Sequence, residues 1–99
     1  MKKFDKIYAQ TVTPGKKGTN INKEKYQMIY DAIFEVLREK NEISFNQLRK
    51  LVKGKIGESF DGSVSWYTTT VKLDMEYRGI IERIPGRKPQ ELRLKKKKN

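Results

Sequence analysis

SWYTTTVKLDMEYRGIIERIPGRKPQELRL, residues Ser65 to Leu94, reads as one helix, one glycine stop, two short strands and a basic turn between them. The helix rests on apolar side chains spaced by three or four: Trp66, Leu73 and Tyr77 on one line, Tyr67, Val71 and Met75 on another. Gly79 then stands where a helix C-terminus wants a residue that can turn left-handed. After it the period changes to two. Ile80, Glu82 and Ile84 alternate with Ile81 and Arg83, and Leu92 and Leu94 with Glu91 and Arg93. Pro85-Gly86 suits the two central positions of a type II turn, and Arg87 and Lys88 make that turn cationic. A helix running into such a hairpin is the second half of a winged helix-turn-helix.

The first half should be two more helices. Asn22 is a good N-cap, and Tyr26, Ile29, Tyr30, Ile33, Phe34 and Leu37 form an amphipathic stripe behind it. Ile21 and Tyr26 flank the cap as a hydrophobic staple. The helix is expected to end near Lys40, with Asn41 as the stop. Ser44-Phe45-Asn46-Gln47 has the capping-box pattern, and Ile43 with Leu48 repeats the staple. Leu48, Leu51 and Val52 give the second helix its inner face. Gly54 is expected to end it, with Ile56 as the alternative end. Gly54, Gly57 and Gly62 mark residues 55–63 as a loop, long for a tight helix-turn-helix, and Ser63 or Ser65 caps the third helix.

The 99 residues fit one domain, divided into a basic arm (1–20), a winged-helix body (21–94) and a lysine tail (95–99). A body of roughly 75 ordered residues buries on the order of 60% of its unfolded surface, enough to fold alone. No apolar run approaches the roughly 18 residues of a membrane span, so no membrane partner is expected. The amino terminus has no apolar core, so it reads as no secretory signal, and cysteine is absent. Both point to the cytoplasm.

Charge is the second clue. The net charge of +11 is uneven. Residues 1–22 carry five lysines against one aspartate, residues 79–99 eight basic side chains against two acidic, and residues 23–78 ten against nine. A nearly neutral helical body with cationic extremities favours a polyanion held by the arm, the wing and the tail. A lysine tail that merely aids solubility is the plain alternative.

On a helical wheel the expected solvent face of the third helix holds Thr68, Thr69, Lys72 and Glu76, and its charges cancel. Threonines and a lysine can contact phosphates or base edges. Trp66 and Tyr67 head two apolar stripes, so both are expected to be largely buried. One stripe should face the other helices. The second needs cover from the arm, the wing or another subunit, which leaves open a homodimer through the third helix or the arm. The arm itself has two readings: a short helix from Phe4, Ile7 and Tyr8, or a strand in which Tyr8, Gln10 and Val12 alternate. Thr13-Pro14-Gly15 is a turn. Gly15-Lys16-Lys17-Gly18-Thr19 lacks the glycine spacing and preceding strand of a phosphate loop.

Catalysis finds no support. Histidine and cysteine are absent, which removes the commonest general base, the thiol nucleophile and the soft metal ligands. The acids lie beside Lys or Arg on helix faces, as solvated pairs do. No enzyme activity, cofactor or metal is expected.

TPGKKGTNINKEKYQMIYDAIFEVL, then SWYTTTVKLDMEYRGIIERI and a short basic strand, resembles a family of small bacterial domains of unknown function. Its marks are the Pro-Gly arm, the Lys-Tyr of the first helix, and the aromatic pair Trp66-Tyr67 before Val-x-Leu-Asp-x-Glu-x-x-Gly, here Val71 to Gly79. The resemblance covers about Thr13 to Leu94 and implies a winged-helix fold but no function. The Met75–Ile81 passage also resembles winged helix-turn-helix regulators at large.

The expected function is binding of nucleic acid, double-stranded DNA ahead of RNA, as a transcriptional regulator or accessory DNA-binding factor. The candidate contacts are Thr68, Thr69 and Lys72 in the major groove, Arg83, Arg87 and Lys88 on the wing, and Lys95, Lys96 and Lys97 in the tail. A protein–protein docking module is the alternative, because fold alone does not fix function.

Overall fold

The structure is a computed structural model that describes residues 5–95. It is an α+β fold: three helices with two small antiparallel sheets. Strands β1 (Lys6–Ala9) and β2 (Thr19–Asn22) form one hairpin, with Ile7 opposite Ile21 and Ala9 opposite Thr19. Helix α1 (Lys23–Lys40), strand β3 (Glu42–Ser44) and helices α2 (Phe45–Ile56) and α3 (Val64–Tyr77) follow. Strands β4 (Ile81–Arg83) and β5 (Glu91–Leu94) come last among the described residues. The second sheet has the order β3-β5-β4, with Leu92 of β5 opposite both Ile43 and Arg83.

The caps explain the helix starts. Asn22 Oδ1 accepts from the Lys25 amide at 3.0 Å, Ser44 Oγ from Gln47 at 3.1 Å, and Ser63 Oγ from Trp66 at 3.0 Å. Each satisfies one of the donors a helix leaves orphaned. At the end of α3 the Ile80 amide donates to the Met75 carbonyl and the Gly79 amide to Glu76, with Gly79 at φ 76°. That is the Schellman pattern, and it needs a left-handed residue at this point. Helix α2 runs past Gly54 to Ile56, because Ile56 packs against the core and Gly57 is the residue that turns at positive φ.

The three helices and the second sheet enclose one core. Ile29, Ile33 and Leu37 of α1 meet Leu48 and Val52 of α2, Val71 and Met75 of α3, and Ile81 and Leu92 of the sheet. Burying each large aliphatic side chain contributes about 1.5–3 kcal/mol.

The arm forms a strand rather than a helix, but over Lys6–Ala9, which holds Tyr8 and stops before Gln10 and Val12, and it is paired rather than free. Residues 6–22 make the β1–β2 hairpin, which folds onto the body because Ala9 and Ile21 belong to the same core. Gly18 lets its strands close: a Cβ there would lie 2.0 Å from the Ala9 carbonyl oxygen. Strand β3 is an addition to the expected elements. Only three residues long, it shows no period of its own. No helix among the described residues is long and apolar enough to cross a membrane.

Candidate nucleic-acid interface

Helix α3 buries a different arc from the one its pattern suggests. Tyr67, Val71 and Met75 point inward, as one of the two apolar stripes must. Thr68 and Lys72, expected on the solvent face, are 0% and 2% exposed. They lie on the flank that α2 covers, where Lys72 Nζ sits 4.7 Å from the centre of the Phe45 ring. Trp66, expected in the core, is 48% exposed, and Tyr77 57%. Ser65, Trp66, Thr69, Thr70, Leu73 and Tyr77 therefore form the outward arc of α3, and none of them is charged.

Two buried polar clusters hold the arc's flanks. On the hairpin side, the fully buried Asp74 carboxylate accepts from the Gln10 amide at 2.8 Å, from the Tyr26 hydroxyl and from Arg78 Nε at 2.9 Å. Burial, reinforced by the neighbouring Asp74 charge, pushes the Tyr26 hydroxyl pKa well above its ordinary value. On the α2 side, the Lys72 ammonium lies 3.0 Å from Glu76, which also takes Arg83 Nε at 2.6 Å. Burial holds the Lys72 pKa below the usual lysine value, against the pull of Glu76. Lys72 is thus a packed structural group. Lys72→Met should leave stability within about 1 kcal/mol of wild type or raise it, since Glu76 keeps Arg83. It should also leave nucleic-acid affinity unchanged. A thermal melt checks the first point, and a loss above roughly 3 kcal/mol would mean that Glu76 depends on Lys72.

The arginines of the β4–β5 hairpin, expected on a wing, are also engaged. Arg87 reaches Glu91 at 2.6 Å and Glu42 at 3.4 Å, Arg93 reaches Glu82 at 2.8 Å, and Arg83 is on Glu76. Lys88 and Lys95 are exposed and form no ion pair among the described residues. Thr69 is half-buried, and its hydroxyl donates to the Ser65 carbonyl. Lys96 and Lys97 lie outside the described residues.

Unpaired cations gather elsewhere. Arg49, Lys50 and Lys53 of α2 line a shallow depression of about 500 Å³ with Asn46 and Ser65, the residue that opens the outward arc of α3. None of the three touches a carboxylate among the described residues. Arg49 is held by Asn46 Oδ1 at 2.7 Å and stacks over Phe45. On the opposite side of the arc, Lys16 and Lys17 of the hairpin loop line a second depression with Trp66, Thr70 and Leu73. The outward face of α3 is flanked on both sides by cations without a carboxylate among the described residues.

A family model matches residues 6–92. The chain belongs to the family of unknown function DUF6958. The DUF6958 match runs from β1 into β5, so the hairpin belongs to the family's domain along with the helices. No curated protein and no solved structure matches the chain.

Sequence reasoning missed Arg49, Lys50 and Lys53. Their signal was available: positions 46, 49, 50 and 53 share one helical face of α2, opposite Leu48 and Val52, with no acid among them. Residue counts hid it, because the acids that neutralise the 23–78 segment lie on other elements.

Proposed function

We propose that this domain is a winged helix-turn-helix that binds double-stranded DNA across α2 and the first turns of α3. One observation carries the reading: the outward arc of α3 begins beside three unpaired cations, Arg49, Lys50 and Lys53, while the arginines of the β4–β5 hairpin are neutralised. The element order supports the winged reading, with a hairpin directly after the third helix and β3 between the first two. Ser65 and Thr69 are the polar groups offered to base edges or phosphates. Lys88 and Lys95 add charge at the rim. A helix fits the major groove of B-form DNA, about 12 Å wide, and not the deep narrow one of A-form RNA, so DNA is the favoured duplex.

The test is a titration of the protein with a random-sequence duplex between about 50 and 200 mM salt. Several phosphate contacts should give a steep linear fall of log affinity with log salt. Absence of duplex affinity at about 50 mM salt would end the DNA reading. The exposed Trp66 and Tyr77 would then favour the protein-docking alternative.

A further inference from the structure

The depression between the hairpin loop and α3 is not accounted for by duplex contacts on the α2 side. It measures about 380 Å³, at the low end of the roughly 300–1,000 Å³ of small-ligand sites. Its walls include Trp66, Thr70, Thr11, Gln10, Lys16 and Lys17, with Ala9 and Leu73 as their aliphatic part. An aromatic ring, hydroxyls, an amide and two lysines with no carboxylate partner among the described residues are the complement of one nucleotide. A base has a π-face to stack, hydrogen-bonding edges and a phosphate. An apolar partner would instead strip water from Lys16 and Lys17 without compensation.

The site is built before any ligand arrives. The loop is pinned to α3 by the Gln10 amide on Asp74. Thr11 Oγ1 accepts from the Thr13 amide at 3.1 Å, and the Lys16 amide closes the turn on the Thr13 carbonyl at 3.2 Å. The Trp66 ring stands edge-to-face with Tyr67 at 5.0 Å, and Tyr67 with Phe60 at 5.2 Å. This ladder fixes the indole while leaving half of it in solvent. Little conformational entropy remains to be lost on binding.

We propose that this cleft takes a single unstacked nucleotide, with its base on Trp66 and its phosphate at Lys16 and Lys17. The preferred ligand is then DNA with a single-stranded segment beside a duplex. The assignment rests on the nucleic-acid reading above and narrows it.

Trp66 is the chain's single tryptophan, so tryptophan fluorescence reports on this residue alone. The experiment compares a blunt duplex with the same duplex carrying a short oligo-dT overhang. The overhang should bind roughly tenfold tighter, as stacking of one base would give, and should quench Trp66 more strongly than the blunt duplex does. Trp66→Ala should abolish the preference, leaving overhang and blunt duplex bound equally by that variant, and Trp66→Phe should retain most of the preference. The half-exposed position makes both variants foldable, which a melt verifies. Equal affinity of the wild-type protein for the two ligands overturns the cleft assignment, as does a Trp66→Ala variant that keeps the overhang preference. If the blunt duplex still binds with a steep salt slope, the cleft assignment alone has failed. If neither ligand binds at about 50 mM salt, the nucleic-acid reading falls with it.

Discussion

Asp74→Ala should cost about 3–5 kcal/mol, the range for breaking a buried ion pair by removing one partner. The carboxylate is fully buried and serves three donors from three elements: the Gln10 amide after β1, the Tyr26 hydroxyl of α1 and Arg78 at the end of α3. Its loss leaves the first two without a partner in the interior. Arg78, nearly half exposed, can turn to water. Small domains have about 5–15 kcal/mol in total, so the variant should melt far below wild type or fail to fold. Asp74→Asn keeps an acceptor for the Gln10 amide and should cost less, about 1–3 kcal/mol. In that variant the hairpin amides should lose hydrogen-exchange protection before those of α1. A melting temperature unchanged in Asp74→Ala would refute the account. The same cluster sets a pH response. The Tyr26 pKa is raised in the folded state, so its contribution is intact below about pH 10, its ordinary titration point, and is lost as pH climbs above it. Lys72, whose pKa is lowered, acts in the opposite sense and in a lower window: stability rises with pH as it approaches the ordinary lysine value from below. The difference in alkaline stability between wild type and Tyr26→Phe isolates the tyrosine.

Local rules carried the sequence a long way and stopped where tertiary cover decides. Asn22, Ser44, Ser63 and Gly79 act through hydrogen bonds within four residues, so their roles can be read from spacing alone. The outward arc of α3 could not be read that way. Two stripes of similar apolarity, led by Trp66 and Tyr67, left the wheel without a unique inner face, and only packing against α1 and α2 picks Tyr67, Val71 and Met75. Lys72 and Asp74 misled for the same reason: a charge on a helix reads as solvated, and burial becomes tolerable only when Glu76, or Tyr26 and the Gln10 amide, are placed against it by the fold. Asp74, Glu76 and Gly79 of the Val71–Gly79 segment thereby have structural roles: one anchors the hairpin, one joins Lys72 to the sheet, one ends the helix. The β4–β5 hairpin is less cationic than its sequence, because Glu42 and Glu91, distant or unremarkable along the chain, sit beside Arg87.

That pairing decides the second large effect. Lys50→Ala with Lys53→Ala should flatten the salt dependence of duplex binding by roughly two units, about one for each phosphate that is no longer neutralised. At low salt the affinity should drop by roughly 10- to 100-fold, since the free cations supply the counterion release. Arg87→Ala should change the slope by less than about half a unit, because its guanidinium already rests on Glu91 and Glu42 and a phosphate would have to displace them. Lys88→Ala lies between, at the rim, with no carboxylate among the described residues. Adding Arg49→Ala to the α2 pair should remove about one further unit. It should also loosen Phe45, over which the guanidinium sits at 5.1 Å. Measured slopes in the reverse order, steeply flattened by Arg87→Ala and untouched by the α2 pair, would move the interface to the hairpin. That result would require the Arg87–Glu91 pair to open on binding, and Glu91→Gln would then raise duplex affinity by freeing the arginine. With the α2 face as the interface, Glu91→Gln leaves affinity close to wild type.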